Sequence, residues 1–441
     1  MSAAPVFIAP AAEPEVSSTG SRWRLAKLLA FRFVFAYLVM FQLPLPLGAL
    51  PWTEGLDQKY ESIWHIIVPW VGAHILHVSS PVSTANTGSG DRMYDWILVL
   101  CYVTFAAVAT LIWSALDRNR SDYRKLDKWL RLYVRFSLAI WMMSYGGAKV
   151  IPSQFPLPRL NRLIQPYGES SPMGLLWTFM GASPGYTIIT GTVELLAGAL
   201  LILPRTAMLG AIVSAAAMTQ VLILNMCYDV PVKLFSFHLI LMSLFLLLPN
   251  ARRFVDVFLS DRPVGPAPTQ PLFERRNLNR AALVVQGVFG LYLLGWSVHQ
   301  GYDIYKQYGA GAPKPPLYGI WSVDEVSIDG VLQPPLLTDE TRWRRAIFQR
   351  AGFLVIQPMT GANQVYALEL DIESRTIALT SPENPGWKAE FSFEEPEPSQ
   401  LSLTGQVDGK STRAKLVRVD ESQFLLTNRG FHWISEVPFN R

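Results

Sequence analysis

The chain has 441 residues, half of them hydrophobic and only 16% charged, with a formal net charge of +4. Several apolar runs exceed about 18 residues, which describes a polytopic helical membrane protein and excludes an ordinary soluble domain. The basic residues cluster between apolar runs, as topology signals do, and form no nucleic-acid surface. The two cysteines, Cys101 and Cys227, lie in or beside apolar runs, which argues against a disulfide framework or a cysteine metal site.

Residues 1–21 are rich in Pro, Ala, Ser and Glu and read as a disordered tail. No basic segment leads an apolar one there, so the first membrane helix is expected to be an uncleaved anchor. Seven spans are predicted over 26–48, 94–116, 130–151, 185–204, 206–227, 232–249 and 281–300. Counted along alternating flanks from a cytoplasmic N-terminus, seventeen Lys and Arg fall inside and six outside. That is the positive-inside bias. It places the C-terminus on the outer side of the membrane.

The first outer loop, 49–93, contains an apolar and aromatic stretch from Tyr60 to Leu76. It is too polar to span and is interrupted by Pro69, so it is expected to lie at the interface. His65, His74 and His77 sit there without a Cys or acidic partner at ligand spacing, which favours interface packing over a metal. In Asn86–Asp91, Asp91 is expected to cap the next helix rather than help cradle a phosphate. Within the second outer loop, Pro172–Gly181 predicts a short re-entrant or interfacial helix. Its Trp177 suits an interface anchor or a ring-stacking ligand contact.

Glu194 falls near the middle of the fourth span, where an ionised carboxylate costs about 2.5–3.5 kcal/mol on insertion scales. It shares one helical face with Thr187, Thr190, Gly191 and Gly198, a small and polar stripe suited to helix contact. Tyr145 and Lys149 share a face at the outer end of span three, and Asn225 shares one with Ser214, Met218 and Val221 in span five. Asp229 and Lys233 flank the next turn, and His238 follows in span six. Two accounts fit these residues. They are structural ion pairs and hydrogen bonds between helices, or they line one outward-facing cavity that handles protons for a lipid-soluble molecule. On the second account Lys149, Glu194 and His238 are the candidate catalytic residues. Tyr145, Trp177, Asn225, Asp229 and Lys233 are the candidate ligand-binding residues, and no metal site is expected. No haem-ligand pair, iron–sulfur spacing or flavin fingerprint occurs, so the sequence predicts no redox centre of its own.

Residues 301–316 read as a linker, after a tail (1–21) and a helical membrane domain (22–300). The remainder, 317–441, reads as eight or nine short strands joined by turns such as Asp329-Gly330 and Asp408-Gly409, hence an all-β barrel or sandwich. The predicted strands run over 318–328, 342–348, 353–357, 365–370, 376–379, 388–393, 401–407, 413–419 and 424–427. The interior is expected either to be filled or to hold a small apolar ligand. Gly319-Ile-Trp321 resembles the G-x-W signature of lipocalin-like barrels, whose last strand carries an arginine packed on the tryptophan. Arg429 is the expected counterpart.

The run Tyr145-Gly-Gly-Ala-Lys149, followed by Gly191-Thr-Val-Glu194-Leu-Leu-Ala-Gly198, resembles the DoxX family of bacterial membrane proteins over about residues 95–250. The resemblance implies a bacterial inner membrane, with the β domain in the periplasm, and a quinone-related role for Lys149 and Glu194 in redox chemistry with a partner protein. The chain departs from that family in three additional spans, a long outer loop and the β domain. A non-catalytic scaffold or lipid-handling module working through the β domain is the alternative. A transporter ranks behind both, because no internal repeat or paired broken helices occur. The topology predicts that alkaline phosphatase fused after residue 441 is active and that green fluorescent protein fused there is dark. The opposite pattern would overturn it.

Overall fold

The computed structural model describes residues 22–53, 55–265 and 271–440. The tail expected over 1–21 lies outside them. The chain divides after Ser137 into two compact units.

The first unit holds α1 (Leu25–Gln42), α2 (Leu56–His74), α3 (Met93–Leu116) and the start of α4 (Arg124–Val150). Arg32, buried on α1, ties α1 to the α3–α4 turn. Its guanidinium donates to Ser114 Oγ (2.7 Å), the Asp117 carbonyl (2.8 Å) and Tyr123 Oη (2.9 Å), and the Tyr123 hydroxyl donates to the Asp117 carboxylate (2.8 Å). A buried cation persists only with its donors satisfied in this way. Trp64 and Val68 of α2 pack with Tyr94, Ile97, Cys101 and Tyr102 of α3. The helix runs unbroken through Pro69, against expectation. An internal proline costs about 3 kcal/mol, and burial of Trp64 and Val68 on α3 offsets that cost. His65 lies edge-on to Tyr94 and His74 stacks on Trp70. Among the described residues no three His, Cys, Asp or Glu come together as metal ligands. At the start of α3 it is Arg92, not Asp91, that holds the cap position. The Asp95 carboxylate accepts the Arg92 amide (2.9 Å) and guanidinium (3.0 Å).

Among the described residues, six helical segments are long and apolar enough to cross a membrane: Leu25–Ala49, Met93–Leu116, Pro184–Ile202, Ala207–Cys227, Lys233–Phe258 and Arg276–Tyr308. The predicted third span forms as α4, 27 residues long, but does not join them. Arg131, Arg135 and Lys149 lower its apolarity, and its midpoint residues Leu138, Ala139 and Met142 are fully buried. A helix enclosed by protein has no need of a lipid-facing surface.

In the second unit α4 is followed by α5 (Leu160–Leu163), α6 (Pro172–Ala182), α7 (Pro184–Ile202), α8 (Ala207–Cys227), α9 (Lys233–Leu247), α10 (Ala251–Phe258) and α11 (Arg276–Tyr308). The short helix expected from Pro172 onward is therefore present, capped by Ser171 Oγ, which accepts the Gly174 amide (3.1 Å). Helix α11 overruns its predicted end by two turns, because no proline occurs before Pro313 and a lone Gly301 costs too little to stop it. The linker shortens accordingly. At 1.5 Å per residue its 33 residues span about 50 Å, well beyond a 30 Å hydrocarbon core.

The β domain contains β1 (Gly319–Ile328), β2 (Val331–Leu332), β3 (Trp343–Arg350), β4 (Phe353–Pro358), β5 (Gln364–Asp371), β6 (Thr376–Thr380), β7 (Lys388–Glu397), β8 (Gln400–Val407) and β9 (Lys410–Arg418). Neighbouring strands pair antiparallel in the order β2-β1-β3 through β9, and β1 pairs back to β9. This closes an eight-stranded barrel to which β2 is a two-residue appendage. At both expected hairpin turns the two central residues adopt left-handed backbone (Asp329 49°, Gly330 80°; Asp408 49°, Gly409 78°), the requirement of a type I′ turn. Alternating residues fill the interior, among them Trp321, Phe348, Phe391 and Phe393.

The strand predicted over 424–427 is instead a 3-10 turn followed by a short helix, α12 (Leu425–Asn428). Closure of β9 on β1 leaves no edge for another strand to join. The G-x-W arginine is corrected as well. Trp321 pairs with Arg418 across β1 and β9, and the Arg418 side chain lies against Gly319. Arg429 instead covers the Phe439 ring at 3.9 Å.

Outside the barrel, Ile320, Ile347 and Val355 are buried against Leu160, with Leu163 and Ile164 beside it. The α4–α6 segment thus seats the barrel at the end of the bundle where α4 finishes. At one barrel mouth the Asp339 carboxylate accepts the amides of Thr341 (2.8 Å) and Arg342 (3.0 Å). Those bonds, the Arg342 amide first, hold its carboxyl below the ordinary value. A lowered folded-state value stabilises the loop above the unfolded value of about 3.9, and the contribution fades as pH falls through the folded one. Exchange of the Thr341 and Arg342 amides, corrected for intrinsic rates, should therefore quicken below about pH 4. Asp339→Asn, which keeps the shape without the titration, should remove that pH dependence.

Candidate functional site

The site begins with glycine. On α4 and α7, Gly146 and Gly191 meet so closely that a Cβ on Gly191 would stand 2.8 Å from the Gly146 carbonyl oxygen. Gly198 faces Met143 and the Ala139 carbonyl on the same seam, and Gly147 meets Ser297 of α11. The Ser297 hydroxyl donates back to the Met143 carbonyl (2.5 Å). Small residues permit this approach, and without a hydrophobic drive in lipid it is how membrane helices adhere.

Backbones this close bring Lys149 over Glu194. The Lys149 ammonium donates to Glu194 Oε2 at 2.6 Å, with the two residues only 6% and 3% exposed. The Tyr145 ring lies 5.6 Å from the same ammonium. An ion pair this buried gains from a low dielectric but costs much desolvation, and its net contribution is small unless one partner is removed.

The pair forms one wall of a cavity of about 330 Å³. Phe155, Trp177 and Met180 of the α4–α6 segment and α6 cover it, while Phe235 and Leu239 of α9 close the far side. Thr187 Oγ1 donates to the Met180 carbonyl (2.7 Å), fixing the cap to the start of α7. Asn225 lines the cavity from α8. Its amide donates to Ser236 Oγ (3.2 Å) and the Val232 carbonyl (3.3 Å), pinning α8 to α9.

Of the eight residues singled out in the sequence, the cavity gathers Tyr145, Lys149, Trp177, Glu194 and Asn225. It does not gather the other three. Asp229 and Lys233 pair with each other across the α8–α9 turn (2.9 Å), with Asp229 largely exposed. His238 is buried on α9 with Nδ1 at 2.6 Å from the Leu234 carbonyl, and its side chain is not part of the cavity wall. A histidine turned onto its own helix has its ring nitrogen occupied by the backbone. Sequence reasoning missed Gln154, Tyr186 and Gln220, which also line the cavity. Gln220 falls just off the face of α8 defined by Ser214, Met218, Val221 and Asn225. The detectable signal was an amide inside an apolar helix.

No protein-family model matches the chain, and no solved structure matches it. The uncharacterized protein YwoB of Bacillus subtilis (strain 168) is 33% identical to it over 151 residues, covering 88% of that protein and 32% of this chain. The chain belongs to the YwoB family. Nearly the whole of YwoB thus matches a stretch amounting to a third of this chain.

For this YwoB-family chain the ion pair carries a stability prediction. Lys149→Met or Glu194→Gln alone should destabilise the bundle by about 3–5 kcal/mol, because each strands a buried charge or its partner. The double variant should recover most of that loss. Thermal unfolding of the four proteins in one detergent gives the coupling. Additive losses would mean that the pair is not energetically linked.

Proposed function

We propose that this chain is an inner-membrane protein of the DoxX type whose cavity binds the head ring of a quinone and works with a redox partner protein. One observation carries the reading: a buried Lys149–Glu194 pair at 2.6 Å in the wall of an otherwise apolar, ring-lined cavity. Its volume, about 330 Å³, falls at the small end of ligand sites, about 300–1,000 Å³. Aromatic side chains suit a flat ring, and the few polar groups converge on one side, as orientation of a carbonyl requires.

A bound quinone would supply two-electron, two-proton carrier chemistry. The chain's own residues would do the rest. Lys149 can donate a hydrogen bond to a carbonyl oxygen, and Glu194 can accept one from a hydroxyl. Held together, the two can keep or release a proton at Lys149 Nζ or Glu194 Oε2 without moving either helix. Trp177 and Phe155 keep water out. The match to the DoxX pattern supports the same two residues, and the flank charges support a barrel facing the periplasm. A scaffold or lipid-handling role through the β domain would have to use its outer surface, since the interior is filled by side chains such as Trp321 and Phe391.

Organic extraction of the protein purified from native membranes, followed by mass spectrometry, tests the reading. We expect about one quinone per chain, reduced at least tenfold in the Lys149→Met/Glu194→Gln variant. A wild-type protein free of quinone, with membrane redox activity indifferent to both substitutions, would defeat it.

A further inference from the structure

The cavity has a side mouth. Of the residues lining it, the exposed ones are Tyr186, Ile189 and Val193 on α7 and Gln220 on α8, while those on α4, α6 and α9 are buried or half-buried. Helices α7 and α8 are pressed together at their connected end, where a Cβ on Gly210 would stand 2.8 Å from the Leu201 amide nitrogen. The exposed wall residues all lie toward the other end. Along α7 and α8 the cavity therefore meets the surface away from the 203–206 turn. Both are long and apolar enough to cross a membrane, so the opening faces acyl chains.

Two further observations give this opening a use. A volume of about 330 Å³ accommodates a substituted ring but not a long hydrocarbon tail as well. At the mouth sits Gln220, an exposed amide on a largely apolar helix, with no hydrogen-bond partner among the described residues. A polar group facing lipid costs free energy unless something satisfies it. A ligand whose polar ring passes this point satisfies it, and plain hydrocarbon does not.

We infer that the α7–α8 opening is a lateral portal through which an amphipathic ligand enters from the bilayer, its ring passing Gln220 to rest at Lys149–Glu194 and its alkyl or isoprenoid tail trailing back over Ile189 and Val193 of α7. This deepens the ring-binding reading of the cavity and rests on it. It specifies the ligand class as a ring carrying a long apolar tail, and the route as membrane rather than water.

The test uses the full chain in nanodiscs. Quenching of the Trp177 component, obtained by subtracting a Trp177→Phe control, reports occupancy. The probes are a decyl-tailed benzoquinone and the same ring without its tail, both expressed as concentration in the bilayer. The wild type should bind the tailed ring at least tenfold more tightly. Val193→Phe with Gln220→Phe, which narrow the mouth, should remove that advantage and bring the tailed ring down to the affinity of the tail-less one. Lipids brominated on their acyl chains should quench Trp177 in the wild type with no probe present, a measurement that needs no portal variant. Equal binding of both rings, unaffected by the double variant, would overturn the portal and leave the cavity reading standing. Absence of acyl-chain quenching would also overturn the portal. If neither ring quenches the wild type, the cavity reading itself falls and takes the portal with it.

Discussion

The contact between α4 and α7 determines the rest of the second unit. Glycine at Gly146, Gly191 and Gly198 lets two backbones meet where larger side chains would hold them apart. That proximity is what lets a lysine at the end of one helix reach a carboxylate near the middle of the next at 2.6 Å. Each feature depends on the other. Without the glycines the charges would be too far apart to compensate one another, and without the charges the seam would carry no chemistry. The cavity borders the same contact, because Lys149 and Glu194 stand in its wall.

The fold was legible in the sequence where local chemistry decides it. Apolar length placed the spanning helices, and alternation with Asp-Gly turns placed eight barrel strands, six of them within two residues at each end and the other two short by three or four. Where it failed, a longer-range effect had taken over. Pro69 does not stop α2, because Trp64 and Val68 are buried on α3. Residues 424–427 make no strand, because the barrel has already closed. The arginine beside the G-x-W tryptophan is Arg418 and not Arg429, a choice fixed by strand register, which no three-residue motif contains.

The site divides in the same way. Lys149 and Glu194 stood out because charge in an apolar helix is costly and their glycine neighbours were visible. Tyr145, Trp177 and Asn225 join them at the cavity. Asp229, Lys233 and His238 were grouped with them by proximity in sequence, yet the i,i+4 pairing of the first two and the backbone bond of the third give each a local partner. Membrane residues near a site in sequence do not all share it. The direction in which each side chain leaves its helix decides, and a single amide such as Gln220 is inconspicuous until that direction is known.

The segment between α4 and α6 has two faces. One presents Phe155 to the cavity, and the other presents Leu160 to the outside of the barrel at Ile320, Ile347 and Val355. A short stretch of chain is thus a shared boundary of two separate interiors, one in the bundle and one in the β domain. Thermodynamic reciprocity then applies across it. To whatever extent filling the cavity shifts this segment toward or away from the barrel, anything gripping the barrel alters affinity in the cavity by the same free energy. A β domain with a solid interior has no need of a ligand of its own to take part. Its seat is its connection.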